Sequence, residues 1–511
     1  ADVMLRFTSW SRLRGAVFYV RVAADGRYRL RLPKARAYIL AVESDAQRSL
    51  DEVINGDSDS EFDLRVYSRA AVDEPASAGV ISWLKGHAIP LATVEAESGF
   101  ADMYPLKRLI GAARVVGLGE ATHGTREFFQ LKHRMLEFLV EHMGFSVFAI
   151  EASFSEALAV NEYVLSGTGD PAAALAGLYF WTWDTEEVLA LIRWMRRYNR
   201  ENRRKIKFYG IDMQFTPAAV KGVLSYLDRV DPQYAETARA TLERFGSPAI
   251  RGQYAAMEAA ERAAIRELIR ATIARFDQNQ RRYIRASSRR GWAVARQHAV
   301  VLSQAEAVFA EPERGPEIRD RAMADNLQWI LANEPRGTKV VHWAHNGHVS
   351  RKGFAGIKST GRHLHDVLGR KHVNFGFVFG HGSFQAMNWT EGRNKPGGLS
   401  AHTIEPGSPG QLGTELSRLG FPLFVLDMRT VPIDQPAGRW LHTPHIERVI
   451  GSVYRSAEGM ENMTILPEHY DAVIFVDETT RARPNPTGLR PPPPAKPKAD
   501  GKGGKPGQKA E

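Results

Sequence analysis

The chain has 511 residues, 43% of them hydrophobic and 10% aromatic, enough to bury a large core in more than one domain. It contains no cysteine, which removes disulfides, thiolate nucleophiles and Cys-based zinc sites together. The formal charge is +10, but residues 481–511 hold eight Lys and Arg against two acids, and the remainder is too weakly basic for a nucleic-acid footprint.

No stretch of about eighteen apolar residues occurs, so no membrane-spanning helix is expected. The chain opens ADVMLRF, without Met and without a charged, apolar leader, which reads as a signal peptide already removed or never made. That leaves the compartment open.

Residues 17–68 alternate apolar and polar in short runs (VFYVRVA, RYRLRLP, AYILAVES, FDLRVYS), with ADG at 24–26 supplying a hairpin turn. A small antiparallel, sandwich-like β domain over residues 1–75 follows. Its DGRYRLRLPKARAYILAVES resembles the carboxypeptidase regulatory-like modules. A linker, AAVDEPASAG, leads to the main domain, expected over 81–480.

There the pattern alternates strand and helix. Strands are predicted at 113–118 (ARVVGL), 145–151 (FSVFAIE), 206–212 (IKFYGID), 339–345 (KVVHWAH), 373–379 (VNFGFVF), 422–428 (PLFVLDM) and 471–477 (DAVIFVD). Several are apolar on both faces, the mark of a mostly parallel sheet flanked by helices, hence an α/β fold. The helical block between Asp212 and Lys339 is too long for one crossover and reads as an insertion, at about 216–335, roofing the sheet. Residues 481–511, rich in Pro, Lys and Gly, cannot build a core; they read as a disordered tail, with weak contact to anionic surfaces as the alternative.

The chemistry collects at strand ends. In GLGEATHGTREFF (117–129), Glu120 and His123 occupy a strand-to-helix turn between glycines, and Thr125 is placed to cap the helix carrying Phe128, Leu131, Met135 and Leu139. Glu151 and Asp212 end the next two strands, His345 ends a fourth, and His348 follows it. In an open parallel sheet such positions converge on the ligand crevice.

No GxSxG elbow is present, since Ser153 and Ser383 lack that frame. This disfavours an acyl-enzyme and leaves water, activated by a histidine that a carboxylate orients. Lys132 lies on the helix face turned to the sheet, where a cation could stabilise an oxyanion. Trp181 and Trp183 could line an apolar pocket or pack beneath a loop. Arg319 could reach the cleft or pair with a helix acid, Asp212 could cap the next helix, and His342 reads as a hydrogen-bonded core residue. ExxH, HxxH and Glu151 could instead hold zinc or manganese, or the histidines could bind iron or haem.

GLGEATHGTREFFQLKHRMLEFLVEHMGFSVFAIEASF, then GTGD, FWTWDTEEV, IRWMRRYN, FYGIDMQ, RDRAMADN and VHWAHNGHV, in that order, resemble the erythromycin esterase family from about Trp83 to Asp477. The resemblance implies hydrolysis of macrolide lactones or a related small-molecule ester, with no covalent intermediate and no required metal or other cofactor. By position it makes His123 the general base, with Glu120 and Glu151 orienting it, and has His345 and His348 bind the ester carbonyl or assist the leaving alcohol. Lys132 stands where the family often has arginine, and Trp181 and Arg319 join it on the substrate side.

Overall fold

A computed structural model describes residues 4–9, 17–23, 25–32, 37–44, 46–49, 52–55, 64–353, 357–390 and 395–485. In the N-terminal part, β1 (Met4–Ser9), β2 (Val17–Arg21), β3 (Ala37–Glu43) and β4 (Glu52–Asn55) make an antiparallel sheet in the order β2-β1-β3-β4. Alternation buries Leu5, Phe7, Tyr38 and Leu40 on one face.

The main domain is built on eight strands: β5 (Ile89–Pro90), β6 (Val115–Leu118), β7 (Val147–Ser153), β8 (Lys207–Asp212), β9 (Val340–Trp343), β10 (His372–Thr390), β11 (Leu423–Asp427) and β12 (Ala472–Thr479). They run in the order β8-β7-β9-β6-β10-β12-β11-β5. Pairing is parallel from β8 to β12, and β11 is antiparallel to both neighbours. All seven strands expected from the sequence are present. β10 outruns its apolar core, and its far half pairs with Lys395–Ile404, a strand the sequence reading did not anticipate.

Helices cover both faces. On one lie α1 (Arg126–Met143) and α2 (Glu186–Glu201), and α1 turns Phe128, Phe129, Leu131, Met135 and Leu139 inward. The predicted insertion is built mainly of α3 (Pro217–Val230), α4 (Pro232–Phe245), α5 (Ala259–Gln278), α6 (Arg289–Ala310) and α7 (Gly315–Asn333). It packs on the other face against Val147, Ala149, Tyr209 and Val340. α8 (Thr360–Leu368) follows the site. Among the described residues no helix is long and apolar enough to cross a membrane.

Two expectations are corrected here. Residues 481–485 of the expected tail are ordered against the main domain; the rest of that tail lies outside the described residues. His342 is indeed buried, but neither ring nitrogen has a hydrogen-bond partner among the described residues. A second unpartnered imidazole, His372, lies near it.

Burial lowers His342 to about 4 and, with repulsion from His342, lowers His372 to about 3. Both are then neutral in the folded chain, while the unfolded chain protonates them near their ordinary pKa of about 6.5. Their contribution to stability is therefore complete above about pH 6.5 and is lost as the pH falls toward 4. The melting temperature should drop steeply over that window, and His372→Leu should make the drop shallower.

Candidate active site

The strand order explains the convergence. β8, β7, β9 and β6 are consecutive in the sheet, so Asp212, Glu151, His345 and Glu120 come off four adjacent carboxyl ends. β9 is inserted between β6 and β7, which α1 connects, so these residues gather at a switch in strand order, where ligands of open α/β sheets bind.

The turn after β6 is held tightly. A Cβ on Gly119 would stand 2.2 Å from Asn346 Oδ1, and one on Gly124 would stand 2.0 Å from the Gln385 carbonyl oxygen, so both positions require glycine for close approach. The Glu120 carbonyl accepts from Asn346 N at 2.9 Å, and the Ala121 carbonyl from Ile450 N at 2.6 Å. Thr125 occupies the N-cap position of α1, but its hydroxyl pairs with Thr122 Oγ1 at 2.5 Å instead of capping the helix.

Within this turn Glu120 and His123 form a working pair. Glu120 is fully buried, with Oε1 2.6 Å from His123 Nδ1. Its Oε2 accepts from Lys132 Nζ at 2.5 Å and from Trp343 Nε1 at 2.7 Å. Burial resists ionisation of this carboxyl, but Lys132 and His123 outweigh it and hold Glu120 below its ordinary pKa. An ionised Glu120 accepts a hydrogen bond from Nδ1–H and so fixes the tautomer. The lone pair then resides on Nε2, which makes no hydrogen bond among the described residues.

The structure places Lys132 differently from the expectation of an oxyanion donor. Its ammonium is fully buried beneath Glu120, 4.3 Å from the Trp343 ring centroid and 5.3 Å from that of Phe377. Desolvation lowers it to about 8 against the attraction of Glu120.

His345 faces His123, with ring centroids 4.8 Å apart. It caps the short helix Asn346–Val349, its Nδ1 accepting from Gly347 N at 3.3 Å, so its proton sits on Nε2. That Nε2 is buried and has no partner among the described residues. Burial and the neighbouring His123 lower His345 to about 3, which keeps it a neutral donor. Trp183, not Trp181, supplies the aromatic wall: its ring meets His123 edge-on at 5.9 Å, and its indole donates to the Glu151 carbonyl at 3.0 Å. Trp181 is half-buried in the same loop.

Glu151, His348 and Arg319 form a second layer. Glu151 Oε2 accepts from His345 N at 2.9 Å, and Oε1 accepts from Arg319 Nη2 at 2.6 Å. Desolvation opposes the Glu151 charge, but His348 and Arg319 hold its pKa well below the ordinary value. Arg319, reaching in from α7, also grips Asp212 at 2.6 Å, so it enters the cleft and pairs with acids at once.

His348 Nδ1 lies 2.8 Å from Asp320 Oδ1, while Nε2 lies 3.3 Å from Glu151 and 3.0 Å from Arg319 Nη1. Burial would lower this imidazole, yet Asp320 and Glu151 raise it to about 10. Both its nitrogens face protein groups. It therefore buttresses the site and does not point a free atom at a ligand.

Asp320 carries no signal of its own in the sequence reading, and Asp212, left open there between a site residue and a helix cap, does not cap the next helix; it accepts from Met213 N, Gln214 and Arg319. Asp320 also accepts from Thr360 N at 2.7 Å at the start of α8. The signal available was the RDR spacing of RDRAMADN, which sets Arg319 beside an acid on one helix.

The two carboxylates a metal would need are committed elsewhere. Glu120 is satisfied by Lys132, Trp343 and His123, and Glu151 by Arg319 and a backbone amide. Among the described residues no group of three His, Cys, Asp or Glu side chains could hold an ion.

The sequence profile of the family described as "Erythromycin esterase" matches residues 140–479. The chain belongs to the erythromycin esterase family. Erythromycin esterase type II of Escherichia coli is 24% identical over 78% of this chain and 97% of its own length. A putative hydrolase of Bacillus subtilis, YbfO, is 25% identical over 78% of this chain and 90% of its own length. A crystal structure of a Bacillus cereus protein, 24% identical, covers 80% of this chain and 98% of that one with a TM-score of 0.71, a likeness of fold. Glu120, His123 and Lys132 precede the stretch that the family profile matches, so their case rests on the geometry above.

Lys132→Met should leave Glu120 buried without its cation and destabilise the fold by about 3–5 kcal/mol, measurable by urea denaturation. In the wild type, turnover should fall as the pH rises through about 8, where Lys132 loses its proton. Lys132→Arg keeps the charge at every working pH, so it should move that decline upward in a pH–rate profile.

Proposed function

We propose that the protein hydrolyses an ester or lactone, of macrolide type or a related small molecule, by direct attack of water. The observation that carries this is the polarity of the two facing imidazoles. His123, with its proton held on Nδ1 by Glu120, offers a lone pair on Nε2, and His345 offers an unpartnered Nε2–H beside it.

A water on His123 Nε2 gives up its proton there as its oxygen bonds to the carbonyl carbon, and the carbonyl oxygen takes the hydrogen bond of His345. The imidazolium so formed faces the anionic Glu120, which Lys132 and Trp343 keep ionised. Collapse of the tetrahedral adduct breaks the bond to the alcohol oxygen, and His123 returns its proton to that oxygen. The products are a carboxylic acid and an alcohol, and no protein atom is acylated. Glu151 acts one step back, holding the His345 backbone. Family membership supports a hydrolase, and the name of the Escherichia coli relative supports a macrolide substrate.

His123→Ala should lower kcat/KM by on the order of a hundredfold to ten-thousandfold while the circular dichroism stays unchanged. An unaltered rate rules out the base. Assays on macrolides, aryl esters and peptides identify the substrate class, and loss of activity on chelation with rescue by zinc would replace this reading with a metallohydrolase.

A further inference from the structure

β12 ends at Thr479, and the next residues do not leave the domain. Residues 480–485 cross from the turn that bears His123 to the loop that bears Trp183. At the first, Arg126 N donates to the Thr480 carbonyl at 2.9 Å and Ala482 N donates to the Gly124 carbonyl at 2.9 Å. Thr480 also binds the Glu127 carboxylate through its amide at 2.6 Å and its hydroxyl at 2.5 Å.

At the second, Glu186 N donates to the Arg483 carbonyl at 2.8 Å and Asn485 N to the Asp184 carbonyl at 3.0 Å. The Asn485 side chain adds bonds to Asp184 Oδ1 at 3.0 Å and to the Thr185 carbonyl at 3.1 Å. Ala482 is fully buried and Asn485 is 7% exposed, so the bonds these two residues make are the ones shielded from water.

We infer that residues 480–485 are a positioning strap that sets His123 against Trp183 and so fixes its separation from His345. Two observations carry the inference beyond ordinary packing. His123 and Trp183 touch directly, at 5.9 Å between rings, and the strap bonds the backbone next to each of them. The Gly124 carbonyl, one residue from His123, takes bonds from both Gln385 N and Ala482 N, so the strap shares the pin on the base with the sheet. The strap begins where the stretch matched by the family profile ends, at residue 479. It touches no reacting atom and acts through His123 and Trp183.

The catalytic part of this inference rests on the proposed function; the structural part does not. The test uses Asn485→Ala, which removes two bonds to the Trp183 loop, and Ala482→Pro, which removes the N–H given to Gly124, both in the full chain. Each should lower kcat by about tenfold to a hundredfold with KM changed less than about twofold, because a small misplacement of the base acts on the chemical step. Backbone amide exchange should rise at 121–125 and 183–187 while the central strands keep their protection.

Unchanged kcat together with unchanged exchange in those two segments overturns the inference, as does a loss of protection spread evenly over the sheet. If the wild type hydrolyses no ester, the proposed function fails, and the exchange measurement still decides the strap. Should Ala482→Pro fail to fold, Asn485→Ala carries both measurements.

Discussion

The buried contact between Glu120 and Lys132 governs the rest of the site. A carboxylate with no solvent must be matched by a cation and by hydrogen bonds, or it takes up a proton. Lys132 supplies the cation, Trp343 supplies an N–H to the same oxygen, and the second oxygen is left for His123. Because Glu120 stays ionised, the proton of His123 stays on Nδ1. The direction of the base is thus decided in the core, one turn inside a helix and under a strand.

Around that pair the charges are layered. His123 and His345 face each other with opposite hydrogen-bonding sense, and behind them Glu151, Arg319, Asp212, His348 and Asp320 alternate in sign. The second group joins the insertion to the sheet: Arg319 and Asp320 come from α7, Asp212 and Glu151 from the strands. The insertion is thereby bonded to the backbone of His345 through a single carboxylate.

Much of this is legible in the sequence. Strand ends read from apolar runs placed Glu120, Glu151, Asp212 and His345 correctly, since a parallel sheet permits few other destinations for polar residues there. What stayed hidden depends on partners far away in the chain. Asp212 could not be told from a capping acid without Arg319, 107 residues later. Lys132 was placed on the right helix face, but its depth below Glu120 was not, because periodicity gives direction and not distance. Trp181 and Trp183 are equivalent in composition, and only the path of the loop turns Trp183 to His123. The ordering of residues 481–485 was invisible for a similar reason: Ala482 carries no signal of burial until the groove that receives it exists.

The insertion of β9 between β6 and β7 has a bearing on biogenesis. Trp343, which completes the Glu120 cage, lies 223 residues beyond it in sequence. A nascent chain emerging from the ribosome therefore carries β6, α1 and β7 with the central slot of the sheet vacant until the whole helical roof has been synthesised. Those two strands present unsatisfied edges to each other throughout that interval, and a chain cut short before β9 would expose apolar strands to aggregation while holding a base with no facing imidazole.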